Sequence, residues 1–185
     1  MKRIIMLALS ILCISSTMAY AVPDNFLGIK FDGTEEQCSS MTKLPDGSYG
    51  DPKRTYYRSE NMQLEGTDLG SVYWGFNKET GKFASANIMM QFFESAKRSK
   101  VIKMPDGNYQ MMGQLPLADK YFELLCAYFN KNYGKSTTET VKSGNTDITA
   151  VKWDLSKDGL FINVNLIPFA DGKNVMISAI VLKVK

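Results

Sequence analysis

The sequence predicts an α+β protein made of two related units, each a helix followed by an antiparallel β-hairpin. Three observations carry this prediction: an internal repeat, an alternating apolar pattern in both copies, and a strongly amphipathic helix before the second copy. The helices are expected to pack on one face of the sheet or sheets. Residues 22–96 make the first unit, 97–116 a connecting loop and 117–185 the second unit, and 22–185 are expected to fold as one compact domain.

The repeat pairs Val72–Phe83 with Val151–Phe161. Both segments read Val-x-Trp-x-apolar-polar-Lys-acid-Gly-x-Phe once the second turn is allowed one residue fewer. Apolar residues alternate around Trp74 and Trp153, which indicates strands with a single buried face. Both tryptophans are therefore predicted to lie in the core, on the helix-covered side of the sheet.

A helix is predicted before each hairpin. The first is short: Thr34 is a candidate N-cap, Gln37 closes a capping box, and the helix ends near Met41. The second runs from about residue 117 to residue 133 with apolar residues at helical spacing, and Gly134 follows it as a stop signal. Its predicted core residues are Phe122, Leu124, Leu125 and Phe129.

Further strands are expected outside the hairpins. One covers residues 175–184, a second lies around residues 54–64, and residues 26–31 add an edge strand.

Residues 1–21 have the anatomy of a secretory signal peptide. A basic start at Met1–Arg3 precedes an apolar run, and residues 19–21 read Ala-Tyr-Ala, a small-residue cleavage site. The mature chain is then expected to begin near Val22 and to be periplasmic or secreted, with no transmembrane anchor. A lipoprotein modified at Cys13 is the alternative, although Leu12 stands where that modification requires a small residue.

Two cysteines remain after the signal, Cys38 and Cys126. An even count in an oxidising compartment predicts one disulfide, which would join the two helices. Two buried free thiols are the alternative.

Composition argues against most catalytic and nucleic-acid-binding functions. Without Lys2 and Arg3 the chain has 20 basic and 19 acidic side chains, so a nucleic-acid partner is not expected and the basic segment 97–103 is predicted to be a solvated loop. The absence of histidine excludes Ser-His-Asp and Cys-His catalysis and removes the commonest zinc ligand. No enzyme activity, metal or cofactor is predicted, and a carboxylate-based enzyme is the weakest alternative.

The face of the sheet away from the helices is the candidate binding surface, because helices cover only one side. The expected function is an exported protein-binding module, of an inhibitor, immunity or envelope-accessory type, whose partner is another exported or envelope protein. A small-molecule or metal carrier in the periplasm is the alternative, and the oligomeric state is left open. The candidate interface residues point outward by parity: Tyr73, Asn87, Lys152, Asp154, Asn163 and Asn165.

At the level of architecture, an exported tandem of helix-and-sheet units resembles the beta-lactamase inhibitor proteins, in which a concave sheet grips a target enzyme. The segment Leu27–Cys38 is also similar to the glycine-threonine-glutamate helix start of small envelope assembly lipoproteins. Both resemblances imply protein binding, and neither assigns a functional residue.

Overall fold

Twelve β-strands and one α-helix form the described part of the chain, in a computed structural model that describes residues 21–98, 100–103 and 109–184. The elements in chain order are β1 Asn25–Phe26, β2 Ile29–Lys30, β3 Thr42–Lys43, β4 Arg54–Leu64, β5 Thr67–Asn77, β6 Phe83–Phe93, β7 Lys100–Lys103, β8 Tyr109–Gln114, α1 Ala118–Tyr133, β9 Thr137–Ser143, β10 Thr146–Leu155, β11 Leu160–Pro168 and β12 Asn174–Lys183.

Ten of these strands belong to one sheet. Its main path runs β3-β4-β5-β6-β12-β11-β10-β9, and every neighbouring pair along it is antiparallel. Strand β8 pairs in parallel with the last part of β6 and carries β7 on its other side. The pair β1-β2 is a separate small sheet.

The predicted α+β fold of two helix-plus-hairpin units is wrong, because the protein is mostly β and the described residues contain a single α-helix. The helix predicted over residues 34–41 shrinks to one 3-10 turn, Glu35–Cys38. Thr34 makes no capping bond, and the Gln37 side chain instead accepts from the Lys30 N–H at 2.9 Å and donates to the Thr34 carbonyl at 3.2 Å. These bonds tie the segment to the β2 turn, so the backbone does not continue as a helix.

The elements with strong local periodicity lie where the sequence predicts them. The two tryptophan hairpins are β5-β6 and β10-β11, the long helix is α1, and the further strands predicted around residues 54–64 and 175–184 are β4 and β12. The segment 97–116 is not only a loop, since it contains β7 and β8. The edge strand predicted over residues 26–31 is part of the β1-β2 hairpin.

The main core lies between the sheet and a layer formed by α1 and the N-terminal segment. Trp74 and Trp153 are both fully buried there, as the alternating pattern predicts. The Trp74 indole N–H donates to the Ser59 hydroxyl at 2.9 Å, and that of Trp153 donates to the Gly134 carbonyl at 3.1 Å. Burying an aromatic side chain of this kind stabilises the fold by about 2–3 kcal/mol.

Helix α1 buries one stripe against this core. Leu125 and Phe129 are fully buried, while Leu124 and Phe122 are half-buried and pack against the edge of the same cluster. All four predicted helix residues therefore contact the core, but only two lie at its centre.

Candidate binding face of the sheet

The sheet face turned away from α1 is defined here as the open face, over strands β6, β12, β11 and β10. Residues opposite one another in an antiparallel pair point to the same side, so the register fixes which side chains belong to it. No described helix or strand packs on this part of the sheet: the contacts of α1 with β11 and β12 go through the core side.

Four of the six candidate interface residues lie in one row across the sheet. Tyr73 pairs with Asn87, Asn87 with Ile180, Ile180 with Asn163, and Asn163 with Lys152. Asn165 and Asp154 lie on the same face in the adjacent rows, where Asn165 pairs with Ser178 and Asp154 with Phe161. The parity prediction therefore places all six side chains on one face.

Tyr73 is nevertheless not exposed, which corrects its role as an interface residue. Only 3% of its surface is accessible, and it forms a second small core with Leu44 and Tyr56. The Tyr49 ring lies over both tyrosines, with centroids 5.1 Å from each. The loop after β3 thus covers the β4-β5 end of the face, and this long-range packing leaves no periodic signal in the sequence.

Beyond Tyr73 the face is open and amphipathic. Strand β12 contributes Met176, Ser178, Ile180 and Leu182, a mostly apolar column, and β6 and β11 flank it with amides. The half-buried apolar side chains are Met89, Phe161, Ile167, Met176, Ile180 and Leu182. Sequence reasoning missed these residues, although β12 carries apolar residues on both of its faces, a pattern typical of strands that are covered on two sides.

The charged residues of the face lie at its β10 side. Lys152 is half-buried and ion-paired with Glu139 of β9. Asp154 is exposed and accepts a hydrogen bond from the Ser156 N–H at 3.1 Å, and bonding to the Ser156 backbone and side chain lowers the pKa of this carboxyl.

Asn163 has an unmet hydrogen bond in the middle of the face. Its side-chain oxygen is shielded from solvent and receives no donor from the described residues. Buried polar atoms in proteins are nearly always hydrogen-bonded. Where the chain itself supplies no hydrogen-bonding group, water or a bound partner supplies it. Asn87 and Asn165, also half-buried, place further amide groups around it.

The predicted disulfide is absent, and Cys38 and Cys126 are free thiols. Cys38 is fully buried in the 3-10 turn, where burial and then the Glu35 carboxylate raise its pKa to about 11. Cys126 is half-buried on α1, and burial followed by Glu123 raises its pKa to about 11 as well. Thiols with raised pKa values are poor nucleophiles near neutral pH.

Residues 21–98, 100–103 and 109–184 contain no group of three or more His, Cys, Asp or Glu side chains that could hold a metal ion. Within the same ranges no helix has the length and apolar character to cross a bilayer. The predicted signal peptide lies outside the described residues except for Ala21.

No family model, curated protein or solved structure matches this chain. The architectural resemblance to the beta-lactamase inhibitor proteins depends on two helix-plus-hairpin units, which the fold does not contain.

Proposed function

We propose that the protein is an exported, non-catalytic binding module that holds another exported or envelope protein on its open face. Export is inferred from the signal anatomy of residues 1–21. The observation that carries the binding role is the mostly apolar column of β12 (Met176, Ser178, Ile180 and Leu182), flanked by amide-bearing strands on a face that no described helix or strand covers.

The composition of the face supports a protein partner. Protein interfaces combine an apolar centre depleted of charge with a polar rim. Ile180 and Leu182 provide such a centre, and Asn87 and Asn165 lie beside it in the neighbouring strands. The charged pair Lys152 and Glu139 lies at the margin, where charges affect the rate of association more than its strength.

The unmet acceptor of Asn163 adds an argument for a partner with a donor at this point. A donor supplied by the bound protein satisfies a group that otherwise costs about 1–3 kcal/mol when buried without one. A backbone N–H or a side-chain amide of the partner has the required chemistry.

The test compares two arginine substitutions on opposite sides of the sheet. Ile180→Arg places a charge at the centre of the open face, whereas Thr140→Arg places the same charge on the exposed β9, on the side turned toward the helix layer. Both tagged variants and the natural sequence are isolated from the envelope under native conditions, and thermal unfolding confirms that each is folded.

A protein that co-purifies with the natural sequence and with Thr140→Arg, but not with Ile180→Arg, supports the proposal. Equal recovery of every co-purifying protein with both variants contradicts it.

A further inference from the structure

A cationic cavity of about 350 Å³ lies where the chain leaves β6 and turns toward β7. Its lining includes three basic side chains and no acidic one, together with the large apolar side chains of Phe93 and Met112. The lining residues are Phe93, Ser95, Ala96, Lys97, Arg98, Lys100 and Met112.

Backbone and amide hydrogen bonds position this turn. The Gln114 side-chain amide donates to the Lys97 carbonyl at 2.8 Å, and the Glu94 N–H donates to the Lys173 carbonyl at 2.8 Å. Strand β8 can approach β6 because Gly113 has no side chain: a Cβ there would lie 2.5 Å from the Phe92 ring. These contacts hold the residues that line the cavity against β6 and β8.

The three cations of the cavity are not neutralised by ion pairs within the described structure. Lys97, Arg98 and Lys100 are exposed, and none of them forms an ion pair with a described residue. Like charges held together raise the local positive potential, which attracts an anion. Guanidinium and ammonium groups bind phosphate and carboxylate oxygens through charge-assisted hydrogen bonds.

The apolar part of the lining continues from the cavity onto the open face. Met112 pairs with Gln91, Gln91 with Met176, and Met176 with Ile167, so three of the four side chains in this row are apolar. Phe93 and Met112 are half-buried, which leaves part of each surface available for contact. A path therefore leads from a cationic site directly onto an apolar surface.

We propose that this cavity binds a single anionic amphiphile, a molecule with a phosphate or carboxylate head and an acyl chain. The head contacts Lys97, Arg98 and Lys100, and the chain lies over Phe93 and Met112 toward Met176. The site gives the small-molecule alternative a specific location and does not depend on the protein partner proposed above.

The test measures the affinity of the protein for dodecyl phosphate by titration calorimetry. The ligand is kept below its micelle concentration, and the buffer has low salt. Changing Lys97, Arg98 and Lys100 to Gln together is expected to weaken binding by about tenfold, because exposed charge contacts are individually weak but add. The matched control changes three exposed lysines elsewhere to Gln, namely Lys120, Lys135 and Lys157. Binding by this control within about twofold of the natural sequence excludes a general charge effect.

A second measurement locates the acyl chain. In protein with labelled methionine methyl groups, dodecyl phosphate should shift the signals of Met112 and Met176 and leave that of Met90 unchanged, because Met90 is fully buried on the other side of the sheet. Inorganic phosphate should bind more weakly than dodecyl phosphate and should not shift the Met176 signal.

Three results would overturn the proposal. The first is equal binding of dodecyl phosphate by the two triple variants. The second is a Met112 signal that does not respond to the ligand. The third is binding to phosphatidylglycerol vesicles without binding to monomeric dodecyl phosphate, which would assign the cations to a membrane surface.

Discussion

Phe26 and Phe129 stack with their ring centroids 5.5 Å apart, although one belongs to the N-terminal β1 and the other to α1. Phe26 also contacts Trp74 at 5.9 Å, and Phe129 contacts Trp153 at 5.3 Å. The four rings form a continuous aromatic row in which Phe26 and Phe129 of the helix layer connect Trp74 of one hairpin to Trp153 of the other. The two halves of the sheet are joined by the β6-β12 pairing, and this row adds side-chain packing between them where a disulfide was predicted.

The stacked pair predicts a measurable coupling in the free energy of unfolding. In a double-mutant cycle with Phe26→Leu and Phe129→Leu, the coupling should be about 0.5–1.5 kcal/mol, the usual value for aromatic pairs beyond their buried area. A control cycle with Phe26→Leu and Phe83→Leu should be additive, since among the described residues the Phe83 ring packs against Phe31 and Phe76 and not against Phe26. Additivity in both cycles would contradict the role of the row.

Tyr73 is expected to stabilise the fold rather than to bind a partner. Tyr73→Ala should lower the free energy of unfolding by about 3 kcal/mol, because it empties the covered end of the face under the Tyr49 ring. Asn165→Ala, on the open part of the same face, should change stability by less than about 1 kcal/mol. Urea denaturation of the two variants checks this, and a Tyr73→Ala protein as stable as the natural one would contradict the packing.

Both cysteines should react as thiols without prior reduction. Protein purified from its native compartment and unfolded in the presence of N-ethylmaleimide should gain two adducts by intact mass, at Cys38 and Cys126. In the folded protein Cys38 should be protected, because it is fully buried and its pKa is raised to about 11. An unfolded, unreduced sample that gains no adduct would demonstrate a disulfide and contradict the structure.

Stability should fall as the pH rises above about 9. Burial raises the pKa of Cys38 from 9.0 to about 11, and burial with a hydrogen bond to Glu35 raises that of Tyr57 from 10.0 to about 12. The folded state therefore keeps these protons to higher pH than the unfolded state does. Their stabilisation is complete below the unfolded pKa and is lost as the pH approaches the folded one.

For the fully buried Cys38 this loss is at most about 2–3 kcal/mol. The midpoint temperature of thermal unfolding should decline less in Cys38→Ala than in the natural sequence between about pH 8 and about pH 10.5. The control variant Ser39→Ala, at an exposed neighbouring position, should decline as the natural sequence does. An equally steep decline in both variants would show that other groups control the alkaline transition.

Local patterns predicted the strands and the long helix, because alternation around Trp74 and Trp153 and helical spacing before Gly134 are properties of short segments. The same alternation placed Asn87, Asn163 and Lys152 on one face, since a two-residue period fixes the side of every residue in a strand. The prediction of the first helix was wrong: the Gln37 side chain bonds to Lys30, seven residues away, as well as to Thr34 in its own turn, and the segment forms only a 3-10 turn.

The burial of Tyr73 under the loop after β3 and the position of β8 could not be predicted from the sequence, because both depend on contacts between separate segments. The loop that brings Tyr49 over Tyr73, and the parallel pairing of Met111 with Met90, both join segments that are distant in the chain. Neither contact imposes a periodic pattern on either segment. The candidate face could therefore be assigned to one side of the sheet, while its open part became visible only in the fold.

The most direct test of the binding role is site-specific photo-crosslinking in living cells. Replacing Phe161 with benzoylphenylalanine keeps an aromatic ring on the open face. Replacing Thr140 of β9 with benzoylphenylalanine is the control, because Thr140 lies on the opposite side of the sheet. We expect irradiation to give an adduct with a defined second protein from position 161 only, the same protein that Ile180→Arg releases. Adducts that are the same from both positions, or none from position 161, would contradict the claim that this face holds a partner.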